Sequence, residues 1–71
     1  MEATISINKD RDEKGIIVRV FVKKVESGSE LETILKGLGY INLGWGSFRA
    51  DVRSAEELDR VRKPILDFVT A

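Results

Sequence analysis

The chain begins with strict alternation. Thr4-Ile5-Ser6-Ile7-Asn8 sends aliphatic and polar side chains to opposite sides of an extended backbone, as a half-buried strand requires. A second β-type run, Ile16 to Val25, is rich in β-branched residues. One parity of that run holds Ile16, Val18, Val20 and Val22, and the other Ile17, Arg19, Phe21 and Lys23. An unpartnered buried Arg or Lys is costly, so the aliphatic parity is expected to face the core. Between the runs, Lys9-Asp10-Arg11-Asp12-Glu13-Lys14, closed by Gly15, reads as a charged hairpin loop.

A helix is predicted next. Ser29-x-x-Glu32 fits a capping box. Leu31, Ile34, Leu35 and Leu38 follow at helical spacing, and Gly37 and Gly39 offer left-handed stops. Tyr40-Ile41-Asn42-Leu43, then Gly44-Trp45-Gly46, then Ser47 to Arg53 read as a second hairpin. Ile41, Leu43, Phe48, Ala50 and Val52 are expected on its inward face. A second capping box, Ser54-x-x-Glu57, opens a helix with the apolar stripe Leu58, Val61, Ile65, Phe68 and Val69. Pro64 lies inside that stripe and is expected to kink the helix or split it, because it lacks the N–H that would bond the Arg60 carbonyl. The order β-β-α-β-β-α predicts one α+β domain over residues 1–71, a four-stranded antiparallel sheet with two helices packed on one face. Ile5, Ile7, Val18, Val20, Val22, Leu35, Leu38, Ile41, Phe48, Val52, Leu58, Val61, Ile65 and Phe68 form the expected core.

An antiparallel sheet covered on one side leaves its other face to solvent. Parity assigns Thr4, Ser6, Asn8, Ile17, Arg19, Phe21, Lys23, Tyr40, Asn42, Ser47, Arg49, Asp51 and Arg53 to that face, with Trp45 at the adjacent hairpin tip. The whole chain is neutral, with 12 basic and 12 acidic side chains. The charges nonetheless divide: Arg19, Lys23, Arg49 and Arg53 oppose only Asp51 on the open face, while the helices are predominantly acidic. Cations suit phosphates, amides and hydroxyls suit base edges or sugars, and rings suit stacking. Ser6, Asn8, Arg19, Phe21, Lys23, Tyr40, Asn42, Trp45 and Arg49 are therefore the candidate binding residues.

Composition narrows the chemistry. Histidine and cysteine are both absent. That removes the commonest general base, the Ser-His and Cys-His nucleophile pairs and most zinc sites. No catalytic role, metal or cofactor is expected. Asp10-x-Asp12 starts like a calcium loop, but Lys14 and Gly15 do not continue it. Glu56-Glu57 are adjacent helix positions that diverge, in a first turn whose dipole favours them. No signal peptide or membrane span is visible, so the expected setting is cytoplasmic. A chain this small without disulfides gains from a partner, and a homodimer is one expectation.

The run Ile5-Ser6-Ile7-Asn8-Lys9-Asp10 with the strand Ile16 to Lys24 resembles the first hairpin of a LAGLIDADG homing endonuclease repeat. Glu30-Leu31-Glu32-Thr33-Ile34-Leu35-Lys36-Gly37-Leu38-Gly39 is similar to that repeat's middle helix. Tyr40 to Ser54 resembles its second hairpin, and Ala55 to Phe68 its last helix, including a proline before apolar residues. In that family a helix precedes the first strand, packs two repeats together and ends in the acid that binds the catalytic metal. Here Met1-Glu2-Ala3-Thr4 already reaches the strand. The metal-binding acid would precede Met1, and Glu2 lies past its position. The resemblance thus implies a sheet that lies in the DNA major groove, without the nuclease. Three readings follow: a small non-catalytic protein binding nucleic acid, duplex DNA above all, through its open sheet face; a protein-interaction module, such as a viral or mobile-element inhibitor of a host enzyme; or an isolated or engineered domain fragment.

Overall fold

A computed structural model describes residues 3–70. The strands are β1 (Thr4–Asp12), β2 (Gly15–Lys23), β3 (Ile41–Gly44) and β4 (Ser47–Val52); the helices are α1 (Glu30–Gly37) and α2 (Ala55–Thr70). The elements run β-β-α-β-β-α, and all sheet pairings are antiparallel in the order β1-β2-β4-β3. The predicted α+β architecture is the one observed.

Beneath the helices lie Val20, Val22, Leu31, Leu35, Tyr40, Phe48, Ala50, Val52, Val61 and Ile65. β2 and β4 supply most of the sheet's share because they are its central strands. Each helix starts as its capping box predicts. Ser29 Oγ accepts from the Glu32 N–H, and Ser54 Oγ from the Glu57 N–H. The two glutamates reach back to the N–H of Gly28 and of Arg53, one residue before the cap.

Several boundaries and orientations differ from expectation. β1 extends through Asp12, so only Glu13-Lys14 form the turn of the first hairpin. Its charged half is an edge strand with solvated side chains, and two of its aspartates find arginine partners across the sheet. α2 runs unbroken through Pro64. Pro64 and Arg60 both lie on the exposed side, where solvent can satisfy the freed Arg60 carbonyl, while Val61 and Ile65 anchor the buried side. Gly37 belongs to α1, and Gly39 alone adopts the left-handed turn, at φ 92°.

Tyr40 and β3 hold the largest correction. The parity reading put Tyr40 and Asn42 outward, and Ile41 and Leu43 inward. Instead Tyr40 is only 6% exposed, while Ile41 is 51% exposed and Leu43 is exposed as well. The cause is the end of α1. The Tyr40 N–H bonds the Leu35 carbonyl and the Gly39 N–H bonds that of Lys36, the double bond of a Schellman motif. That motif commonly sets the residue after the glycine against the last helical turn, which here carries Tyr40 into the core. Tyr40 Oη then donates 2.7 Å to the Val61 carbonyl on α2. With Tyr40 inside, Ile41 pairs with Arg49 on the open face and Asn42 with Phe48 on the helix side. Ile7 and Ile16 also stay exposed, because the helices do not cover that part of the long β1–β2 hairpin.

Burial pushes the Tyr40 hydroxyl up to about 12 from its ordinary 10.0. Its folded-state pKa is raised, so its contribution to stability is complete below pH 10 and falls as pH rises toward 12. Tyr40→Phe is expected to cost about 1 kcal/mol near neutral pH through the lost hydrogen bond. It should also flatten the alkaline decline, as read from urea midpoints between neutral pH and pH 12; a decline of unchanged steepness would show that other groups cause it.

Candidate nucleic-acid interface on the open sheet face

Partner residues in an antiparallel ladder share a face, so the register lays out the open side in rows. Ser6, Phe21, Arg49 and Ile41 form one row across all four strands; Asn8, Arg19 and Asp51 form the next. Asp10 faces Ile17, Asp12 faces Gly15, and Thr4 faces Lys23. Extending β1 therefore brings Asp10 and Asp12 onto this face. Four cations now meet three carboxylates, and the expected surplus of three positive charges falls to one.

Those carboxylates are concentrated at one end. Arg19 Nη1 donates 2.9 Å to Asp10 Oδ2, and Arg19 Nε lies 4.0 Å from Asp51. Arg53 grips Asp12 with both terminal nitrogens, Nη1 at 3.0 Å from Oδ1. The Arg53 fork holds the Asp12 carboxyl at about 2, below its ordinary 3.8. Asp10 is lowered as well, by the Arg11 backbone N–H first and then by Arg19. Asp12 in turn raises the Arg53 guanidinium. These bridges reach across β2 on either side of Ile17. Ile17, placed on the open face by its parity and expected to be exposed there, is only 6% exposed as a result.

The opposite end of the face is different. The Lys23 ammonium sits 5.9 Å from the centroid of the half-buried Phe21 ring, within cation–π range. Arg49 lies beside Phe21 in the ladder. Its Nε is 3.2 Å from Asp51 Oδ1, yet off hydrogen-bonding geometry, buried and without a hydrogen-bond partner. Lys24 follows in a left-handed conformation, φ 62°, at the exit of β2. Ser6 and Thr4 supply hydroxyls on the neighbouring strand.

Trp45 stands at the β3–β4 turn near this end. Trp45 and Gly46 have φ of 57° and 76°, the paired positive values of a type I′ turn. Gly46 is required there twice over, since a Cβ on it would come within 2.7 Å of the Val25 carbonyl oxygen. Trp45 is the anomaly: a bulky residue in a region that favours Gly and Asn, and fully exposed at 102%. A shallow recess of about 300 Å³ lies beside it on the helix side, lined by Val25, Glu32, Asn42 and Phe48 among others.

Of the nine predicted residues, Ser6, Arg19, Phe21, Lys23 and Arg49 lie together on the open face, with Asn8 beside Arg19 and Trp45 at the rim. Tyr40 and Asn42 do not: Tyr40 is core, and Asn42 Oδ1 accepts from the Gly44 N–H within the turn. Sequence reasoning missed Asp10, Asp12 and Ile41. Alternation continuing from Asn8 through Asp10 and Asp12 was the available signal for the first two. Glu2 lies outside the described residues. Among the described residues no group of three or more acidic, His or Cys side chains is placed to hold a metal, and no helix is long and apolar enough to cross a membrane. No family model, curated protein or solved structure matches the chain.

Two outcomes follow from this geometry. Trp45→Asn should stabilise the fold by about 1 kcal/mol, because Asn tolerates the left-handed turn and no burial is lost; a lower melting temperature would show that the ring holds the turn in place. Asp12 has a depressed pKa, so its contribution is present above pH 3.8 and lost as pH falls through about 2. The difference in urea midpoint between wild type and Asp12→Asn should therefore shrink over that interval; a constant difference would mean the Asp12 charge plays no part.

Proposed function

We propose that this is a non-catalytic nucleic-acid-binding domain whose contact surface is the Lys23–Phe21–Arg49 end of the open sheet face, with Trp45 at its rim. One observation carries the reading: a half-buried aromatic ring lies beside two cations, of which Lys23 has no carboxylate partner among the described residues and Arg49 meets Asp51 only off hydrogen-bonding geometry, its Nε without an acceptor. A phosphate supplies the anion that Lys23 lacks and a hydrogen-bond acceptor for Arg49, and a base can stack on the ring beside them. Ser6 and Thr4 add hydroxyl donors within the same patch. Arg19 and Arg53 contribute less, since binding a phosphate would require breaking a hydrogen-bonded ion pair. The resemblance to a LAGLIDADG repeat, whose sheet lies in the major groove, makes duplex DNA the first ligand to test. The absence of His and Cys from the chain supports the non-catalytic reading.

A second reading rests on Trp45. A fully exposed indole in a disfavoured backbone conformation is the form an aromatic anchor for a protein pocket takes, and the exposed Ile41 and Leu43 on β3 extend an apolar margin beside it.

Fluorescence anisotropy with labelled duplex and single-stranded DNA at two salt concentrations separates these readings. Binding should weaken as salt rises. Lys23→Ala and Arg49→Ala should each weaken it and lower the salt slope by about one unit. Arg53→Ala should have a smaller effect, and Asp12→Asn, which frees Arg53, should strengthen binding. Equal losses in Lys23→Ala, Arg53→Ala and the helix-side control Arg62→Ala would indicate diffuse attraction and no dedicated face. Absence of wild-type binding at low salt would leave the protein-partner reading ahead.

A further inference from the structure

The sheet has two edges, and they are not alike. β3 is four residues long and its register slips between Asn42 and Gly44, so it is a poor template for another strand. β1 is nine residues long and pairs with β2 without irregularity. Its far half, Lys9-Asp10-Arg11-Asp12, carries four charges of the kind that discourage indiscriminate edge pairing. Its near half, Thr4 to Asn8, carries none, and Ile7 within it is 41% exposed on the helix side of the sheet. The Arg11 N–H turns to the Asp10 carboxylate and not to β2. By the alternation of an antiparallel ladder, the odd-numbered residues Ile5, Ile7 and Lys9 then also direct their backbone polar groups outward.

We propose that β1 pairs antiparallel with β1 of a second copy about a two-fold axis through Ile7, joining two four-stranded sheets into one of eight strands. Register selects this axis. An axis at Lys9, Asp10 or Arg11 sets that residue against its own copy, and like charges directly opposite are destabilising. An axis at Ser6 engages fewer of the described residues and sets Ile7 against Ile5 and not against its own copy. An axis at Ile5 engages a shorter stretch, and one at Asn8 sets Ile7 against a lysine. With the axis at Ile7, the two exposed isoleucines cover one another, Ser6 faces the partner's Asn8, Ile5 faces the partner's Lys9, and Ala3 the partner's Arg11. Among the described residues no like charges meet. The outward-directed groups of the odd residues are the ones such a pairing uses. The two open faces become a single surface, and the proposal holds whether or not that surface binds nucleic acid.

The chain has no cysteine, so introduced thiols report on the pairing without background. Ser6 and the partner's Asn8 would form a non-hydrogen-bonded pair with Cα atoms about 4.5 Å apart, inside disulfide range. The double variant Ser6→Cys/Asn8→Cys should oxidise to a covalent dimer, whereas Ser6→Cys alone, two residues out of register with its copy, should not. In sedimentation equilibrium at high micromolar concentration the wild type should show twice the chain mass. Ile7→Lys should show the single mass with an unchanged circular dichroism spectrum, because Ile7 is exposed within one copy. A wild type of monomer mass would overturn the proposal, as would cross-linking of the single Ser6→Cys variant or an Ile7→Lys variant that remains dimeric.

Discussion

Which cations on the open face of the sheet are already neutralised decides what that face can do. β2 lies at the centre of this face, between Asp10 and Asp12 of β1 on one side and Asp51 and Arg53 on the other. Because ladder partners share a face, lengthening β1 by four residue pairs brought two carboxylates over β2. Arg19 and Arg53 turned to meet them, and their bridges close over Ile17. Exposed pairs of this kind contribute little stability individually. Their larger effect is to engage Arg19 and Arg53 in hydrogen-bonded pairs at one end of the sheet, leaving Lys23 and the loosely paired Arg49 at the other.

The free end is shaped by backbone geometry. β2 ends with Lys24 at positive φ, and the Val25 N–H bonds the Gly46 carbonyl, tying the β2 exit to the β3–β4 turn. That tie is close enough to exclude any side chain at position 46. It holds Trp45 at the tip of a type I′ turn near Lys23, Phe21 and Arg49. On the opposite side, Tyr40 links the end of α1 to α2 through Val61 and closes the core beneath β3. The site and the core are thus joined through the same two turns.

Most of the fold was legible in the chain. Alternation, two capping boxes and paired glycines led to every element in its correct order, and Val20, Val22, Leu35, Phe48, Val61 and Ile65 are buried as their spacing implies. Parity failed where a local motif overrode it. Leu38-Gly39-Tyr40 is a helix-ending motif that draws the residue after the glycine inward, and counting alternation back from β4 across a turn with a register slip reversed all of β3. Charge misled in a related way. The run Lys9 to Lys14 reads as loop by composition, yet an edge strand accommodates such residues because both their ends reach water. Of the candidate site, Phe21, Lys23 and Arg49 were legible because β2 and β4 are central and regular. Which arginines were occupied was not, since that depended on where β1 ended.

The division of the open face can be read directly by nuclear magnetic resonance. Titrating the isotope-labelled protein with a short DNA duplex at low salt should move the backbone signals of Phe21, Lys23 and Arg49 and the indole signal of Trp45, while those of Asp12, Ile17 and Arg53 stay near their free positions. Shifts concentrated on the Asp12–Arg53 end, or spread over the helices, would contradict the division proposed for this face.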